Sequence, residues 1–475
     1  MNKTVLVSGN FNVLHPGHLR LLRFAKECGD QLIVAIASDK IAGSSAHVPE
    51  NLRLEGIASN NWVDDSFIFR SSIEEVIQKI KPDIVVKGKE HQNNFNPEQK
   101  ILETYGGKLI FGSGESFFSS LDLLRKDINN SIQGSLQFPE GFLKRHKLSK
   151  KNIEARINKF SEIKVCVMGD LILDEYITCD PLGMSQEDPT IVVTPVDSAK
   201  FIGGAGIVAA HASGLGAEVH LITVSGADSE GLFAKQELEQ NGVNCHFIED
   251  ENRPTTLKQR YRSKGKSLLR VSHLHQNAID KDLQTNFINT YKALIAKMDL
   301  IVFSDFNYGS LPQGLVKKLI NIAKKQGVKM VADSQSSSQV GDISRFKSMD
   351  LITPTEREAR VSMRNNEDGL VVLSEKLKKE SDAKNLFLKL GEEGVLVHGH
   401  NSSSAITDRL PAFNSAAKDT AGAGDSLLIT SGLSLAAGSN IWEAAFLGSL
   451  AAAIQVSRLG NIPLKSKELL IELKK

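Results

Sequence analysis

The stretch Asp419-Thr420-Ala421-Gly422-Ala423-Gly424-Asp425 runs into a long apolar helical pattern from Ser426, and it decides how the larger part of this chain is read. Small residues at a helix start let backbone N–H groups converge on an anion, and the positive end of the helix dipole adds to their pull. Gly422, Ala423 and Gly424 thereby form a candidate hole for a phosphoryl group in transfer. The carboxylate closing the loop, Asp425, is placed to accept a proton from an attacking hydroxyl. Taken alone, the loop reads equally as a glycine-rich turn with an aspartate cap.

Upstream of this loop the pattern alternates between strand-like and helix-like segments. Strand candidates are Lys164–Asp170, Glu218–Thr223, Leu300–Phe303, Val328–Ala332, Asp350–Thr353 and Asn385–Leu390; helices are expected over Gln313–Gln326 and Ser426–Ala437. Such alternation predicts an α/β domain with a mostly parallel sheet. The alanine run 451–453 is read as part of an amphipathic segment with Gln455, Ser457 and Arg458.

A second phosphate-handling pattern stands at the other end, in Gly9-Asn10-Phe11-Asn12-Val13-Leu14-His15-Pro16-Gly17-His18. It follows the apolar run Val5-Leu6-Val7 and leads into a helix from about His18 to Cys28. Gln31–Ala37 then reads as a strand buried on both faces, which predicts a parallel βαβ unit. Further elements are a helix over Ile73–Ile80 and strands over Asp83–Lys87 and Lys108–Phe111. Two imidazoles three residues apart, His15 and His18, can face one phosphate cluster and stabilise charge developing at an α-phosphate. The spacing also suits surface residues or part of a metal site, though no third ligand is close by. Three segments follow: residues 1–126, a polar and basic linker over 127–151, and a domain over 152–475.

Composition sets the limits. With 57 basic and 56 acidic side chains among 475 residues, the chain offers no general electrostatic attraction for nucleic acid or an anionic membrane. Hydrophobic residues make up 41% and charged residues 24%, a balance that can bury more than one core. Cys28, Cys166, Cys179 and Cys245 lack paired metal-ligand spacing and are expected to be reduced thiols of a cytoplasmic protein. No secretory signal and no apolar run long enough to span a bilayer is visible.

Residues 1–126 resemble the cytidylyltransferase-like nucleotidyltransferases, through Gly9, Phe11, His15, Gly17, His18, Ser38-Asp39, Arg53, Lys87-Gly88 and Ser119-Ser120. The resemblance implies a Rossmann-like domain in which His15 and His18 act on the transferring phosphate and Gly9, Phe11, Gly17 and Lys87 line the nucleotide cleft. Ser119 and Ser120 would cap a helix over the triphosphate; by themselves they fit an ordinary N-cap. Asn12 stands where this branch often has Asp, which leaves ATP or CTP open as the nucleotidyl donor. Residues 160–475 resemble ribokinase-type (PfkB family) carbohydrate kinases, through Gly169-Asp170 with Asp174, Gly203-Gly204-Ala205-Gly206, Ser304-Asp305, Glu358, Leu390-Gly391-Glu392-Glu393-Gly394 and the terminal loop. That implies a larger ribokinase-like α/β domain with a small β lid over residues 255–273, ATP as phosphoryl donor, and Mg2+ held through Glu358. It also implies sugar contacts from Asp170, Asp174, Gly203 and Gly204, and nucleotide contacts from Gly391 and the loop 422–424. Ile207 and Thr355 replace the asparagines usual at their positions.

Both modules together resemble the bifunctional heptose phosphate kinase/adenylyltransferases of the ADP-heptose pathway, with the transferase here placed first instead of last. The resemblance implies a sugar phosphate kinase coupled to a nucleotidyltransferase, with a homo-oligomer, such as a dimer through the kinase domain, as the expected assembly. Another sugar or polyol with CTP, or a kinase-like module that only binds or oligomerises, are the alternatives.

Overall fold

The computed structural model of the protein describes residues 3–14, 16–88, 96–112, 136–263, 266–335, 341–401, 404–414 and 417–474. The chain divides into two compact units, Met1–Gly134 and Ser135–Lys475. His15, Ser119 and Ser120, and residues 127–135 of the expected linker, lie outside the described residues.

The first unit is built on five parallel strands: β1 (Thr4–Gly9), β2 (Gln31–Ala37), β3 (Asp65–Phe69), β4 (Ile84–Gly88) and β5 (Lys108–Gly112). Their order is β3-β2-β1-β4-β5, a Rossmann-like sheet whose direction of growth reverses between β1 and β4. Alternate residues of β1 go to opposite layers: Val5 and Val7 join one core cluster, Leu6 the other. Two-sided burial is why these strands read as unbroken apolar runs.

The second unit centres on β6 (Lys164–Met184). Its first residues pair in parallel with β8 (Glu218–Ser225) and β12 (Leu300–Asp305). The sheet continues through β13 (Lys329–Ser334), β14 (Leu351–Ile352), β15 (Leu386–Lys389), β16 (Val395–Asn401) and β17 (Ser404–Leu410), with β9 (Val243–Glu249) beside β8. From Ile172 onward β6 leaves this sheet and pairs with β7 (Ile191–Gly203) and β10 (Thr256–Ser263), which carries β11 (Lys266–His273). The lid is therefore a prolongation of the central strand. The strand expected over 164–170 stops short of this continuation, because the apolar run breaks at Asp170 and Asp174.

Helices Gly204–Gly214, Ala423–Ala436 and Ile441–Gln455 supply one core layer, and helices Lys281–Ile295, Gln313–Gln326 and Leu370–Ser381 the other. Ile441–Gln455 corrects the amphipathic reading of the alanine run. It is buried nearly all round, including Gln455, whose Nε2 donates to the carbonyls of Ala421 and Gly460 at 3.3 and 2.9 Å. From Leu136 onward the stretch expected as linker packs into this unit, with Phe142 buried in its core.

Candidate active sites

In the first unit the carboxyl ends of β1 and β4 flank the point where strand order reverses, the place where open α/β sheets bind ligands. Gly9 ends β1, Lys87 is the last residue but one of β4, and Gly17 and His18 open the helix Pro16–Glu27. The buried Phe11 takes a left-handed φ of 47°, lies against Gly9, and meets the His18 ring edge-on with centroids 5.1 Å apart. His18 Nδ1 is 3.1 Å from the Val13 carbonyl, which can only accept, so Nδ1 is the donor in this contact.

Other family-pattern residues serve as braces. Arg53, buried to 2% exposure, donates to the carbonyls of Asn10 and Val48 and to Asp39, tying the loop after β1 to two neighbouring segments. Asn12 uses both ends of its amide: Nδ2 donates to Ser45 O at 2.7 Å and Oδ1 accepts from His47 N at 2.9 Å. A carboxylate has no donor for the Ser45 carbonyl, which gives the Asn its physical reason. Lys87 Nζ donates to Glu98 Oε1 at 2.8 Å, in a largely buried pair.

In the second unit, Gly422 caps the helix Ala423–Ala436 with φ 72°; the first N–H groups of a helix have no acceptor within it, and that of Ala423 turns to the Thr420 carbonyl at 3.4 Å. Asp425 lies in the first turn, 5% exposed, and accepts from Gln335 Nε2 at 3.3 Å. Burial, reinforced by Asp333, pushes its carboxyl up to about 7. Close to the loop, Lys389 at the end of β15 donates to both oxygens of Asp333 at the end of β13, at 3.0 and 2.8 Å. Burial raises Asp333 to about 6, against the pull of Lys389. Burial pulls Lys389 down, yet Asp333 and Glu358 hold it above the usual lysine range.

Glu358 is buried at the start of the helix Glu356–Met363, where its Oε2 accepts from Thr355 N while Thr355 Oγ1 accepts from Glu358 N. This reciprocal cap explains Thr355: the hydroxyl performs the capping that an asparagine would. Gly391 follows β15 in a short turn with φ 61°.

The residues expected at the sugar differ in their surroundings. Asp174 is 6% exposed and lies so close to Gly203 that a Cβ there would be 2.8 Å from Asp174 Oδ2. Burial raises its carboxyl, opposed by Arg260 and Lys258 of β10. Asp170, expected to hold sugar hydroxyls, has oxygens that accept from the backbone N–H groups of Phe306, Tyr308 and Ser310 at 2.8, 3.2 and 3.2 Å. It anchors the loop after β12. Gly204, with φ 58°, has its α-carbon packed on the Asp170 carbonyl. Ile207 is fully buried in the core cluster behind this helix start.

Sequence reading missed Asp333, Gln335, Lys389, Lys258 and Arg260. Its available signal was a charged residue ending an apolar strand, as in Val331-Ala332-Asp333 and Phe387-Leu388-Lys389. The described residues contain no group of three or more His, Cys, Asp or Glu positioned to hold a metal ion. Asp333, Glu358 and Asp425 all act on Lys389, and Asp425 also feels Lys258, which leaves three carboxylates against two lysines. That donor set fits a divalent cation held mainly by water and substrate phosphates.

Comparison with known proteins agrees with this division. Residues 162–467 match the family model of the pfkB family carbohydrate kinases, and residues 6–135 match the cytidylyltransferase-like model. The chain belongs to the pfkB carbohydrate kinase family, with a cytidylyltransferase-like domain at its N-terminal side. Among curated relatives, Bifunctional protein HldE of Nitratiruptor sp. is 30% identical over 302 residues, covering 62% of each chain. Bifunctional protein HldE of Syntrophotalea carbinolica is 28% identical over 326 residues, 68% of this chain and 65% of the relative. The chain thus spans less than two thirds of the length of these relatives. Among solved structures, phosphofructokinase-2 from Escherichia coli superposes with a TM-score of 0.53 at 17% identity, covering 66% of this chain and 98% of that one. Ribokinase from Thermotoga maritima gives 0.51 at 22%, covering 66% and 100%, and both establish the ribokinase-like fold. Among the described residues no helix is long and apolar enough to cross a membrane.

Proposed function

We propose that the protein phosphorylates a sugar phosphate with ATP in its second unit and transfers a nucleotidyl group to a sugar 1-phosphate, releasing pyrophosphate, in its first. The carrying observation is Asp425: a buried carboxylate raised to about 7, at the start of the helix behind Gly422 and electrostatically coupled to Asp174. A group with that pKa is poised to take a hydroxyl proton near neutrality. The N–H groups of 422–424 would stabilise the transferring phosphoryl group, and Mg2+ with Glu358 would neutralise the triphosphate. In the first unit, His18 with His15 would stabilise the α-phosphate, Gly9, Phe11, Gly17 and Lys87 would line the nucleotide cleft, and Ser119 and Ser120 would cap over the triphosphate.

Resemblance to the bifunctional heptose enzymes makes heptose 7-phosphate the leading acceptor and ADP-heptose, for cell-surface glycans, the leading product. A separate phosphatase would remove the 7-phosphate between the two steps. The reading places the enzyme in the cytoplasm. A second reading, another sugar or polyol with CTP, is favoured by Ile207, whose fully buried side chain gives the substrate no hydrogen bond. The exposed apolar residues Leu182, Met184, Ile191, Val192 and Val196 of the lid support a dimer formed through it.

Purified protein assayed with a panel of sugar phosphates and each nucleoside triphosphate tests the proposal. Asp425→Asn is expected to abolish phosphorylation and spare nucleotidyl transfer, and His18→Ala to do the reverse. Unchanged kinase activity in Asp425→Asn would overturn the assigned base, and turnover confined to a non-heptose acceptor would replace the heptose.

A further inference from the structure

Lid strand β10 sets Lys258, Arg260 and Arg262 at alternate positions, and alternate residues of a strand share a face. Their partners in β6 are Asp174, Tyr176 and Thr178, so the basic row faces the same side as the sugar-side carboxylate. Across the hairpin, Arg270 of β11 pairs with Arg260 and adds another cation to that face. The contacts agree with the register. Lys258 Nζ lies 5.4 and 5.0 Å from the ring centroids of Phe306 and Tyr308, in the loop that Asp170 anchors. The Arg260 and Arg262 guanidinium groups lie 5.1 and 5.0 Å from the Tyr176 ring.

The four cations on this face have Asp174 and the exposed Asp197, which pairs with Thr178, on the same sheet, and Asp419, bonded to Tyr176 Oη at 2.9 Å, at its edge. Like charges set opposite each other across strands, as Arg260 and Arg270 are, repel, and an anion bound between them removes the repulsion. An uncharged sugar gains nothing from such a surface. Its reach extends to the transfer point, since Lys258 acts electrostatically on both Asp174 and Asp425.

We infer that this lid face is the clamp for the phosphate the acceptor sugar already carries, with Lys258 and Arg260 as its specificity-determining residues. Arg260 Nη2 stands 3.3 Å from Asp174 Oδ1, longer than a close charge-assisted bond. An incoming phosphate takes over that guanidinium and releases the Asp174 oxygens to accept sugar hydroxyls. The phosphate end is thereby fixed at the lid, and the hydroxyl to be phosphorylated is directed towards Asp425. The inference rests on the kinase reading of this cleft and assigns the residues that select a sugar phosphate over a bare sugar.

The test uses the full chain with pairs of acceptors that differ only in the terminal phosphate. Two measurements are made: kcat/KM with ATP, and calorimetric binding of the sugar phosphate without ATP. Wild type is expected to favour the phosphorylated acceptor by at least about tenfold, the scale of a charged hydrogen bond. Lys258→Met and Arg260→Met bring that preference close to one, and Arg260→Lys restores part of it. Thermal denaturation of each variant verifies folding, with Lys258→Gln as a second removal of the charge. Equal use of both acceptors by wild type, or an equal loss on both in Lys258→Met, overturns the clamp. Phosphoryl transfer without Lys258 dependence sinks the clamp and keeps the kinase reading; Lys258-dependent binding without transfer does the opposite.

Discussion

Lys389 Nζ bonds both carboxylate oxygens of Asp333, and a Cβ added at Gly424 would lie 3.2 Å from that same nitrogen. The candidate phosphate loop therefore rests on a buried ion pair supplied by two strands of the central sheet. Lys389→Met leaves Asp333 buried without its partner, so a loss of about 3–5 kcal/mol is expected from denaturant unfolding of the kinase unit. Phosphoryl transfer falls with it, while nucleotidyl transfer in the same preparation persists.

The raised Asp425 carboxyl fixes the sign of two pH effects. As a base it works only when ionised, so kcat/KM for phosphorylation in the wild type is expected to rise with pH through a midpoint near 7 and to flatten above it. Asp425→Asn removes that limb and lowers the rate by about 10²- to 10⁴-fold.

Stability runs the other way. The folded protein holds the Asp425 proton up to about 7, whereas the ordinary value is 3.8, so between these values the folded state binds more protons and this group's contribution falls as pH rises. Asp425→Asn is accordingly expected to melt higher than wild type at pH 8 and to lose that advantage near pH 4. A mutant that melts lower at pH 8 would show that the carboxylate carries no burial penalty.

Tyr176 Oη donates to Asp419 Oδ2 at 2.9 Å, while Asp419 also accepts from Ala421 N and Gly460 N at 3.1 Å each. This places a lid residue in direct contact with the start of the phosphate loop. Tyr176→Phe keeps the ring and removes the donor, with an expected cost of about 1 kcal/mol in unfolding. Kinase kcat should fall more than KM for ATP rises, because the loop's alignment is disturbed and its N–H groups remain.

Asn12→Asp sets a carboxylate against the Ser45 carbonyl. A loss of about 1–3 kcal/mol is expected in the first unit, together with a higher KM for the nucleotidyl donor. Phosphorylation rates measured in parallel should not move.

Much of this arrangement was legible in order along the chain. Apolar runs buried on both faces announced β1, β2 and β4, and the small-residue loop before Ser426 announced a helix start that opens to an anion. The lid's continuity with β6 was hidden, because Asp170 and Asp174 interrupt the apolar pattern; each is buried only through partners distant in sequence. Gln455 misled for the same reason, since an amide looks like a solvent-facing residue until the two carbonyls it bonds are found.

The sequence by itself determined that two α/β modules are joined, and that Asp425 and His18 stand at the openings of helices. Local spacing and backbone chemistry suffice for that. Only the tertiary structure decided that Asp170 anchors a loop while Asp174 stands by Gly203, that Asp333 and Lys389 meet by Gly424, and that Lys258 and Arg260 share a face with Asp174 in the lid. A charged residue's role depends on which groups satisfy it once water is gone, and those groups come from strands and loops far apart in the chain.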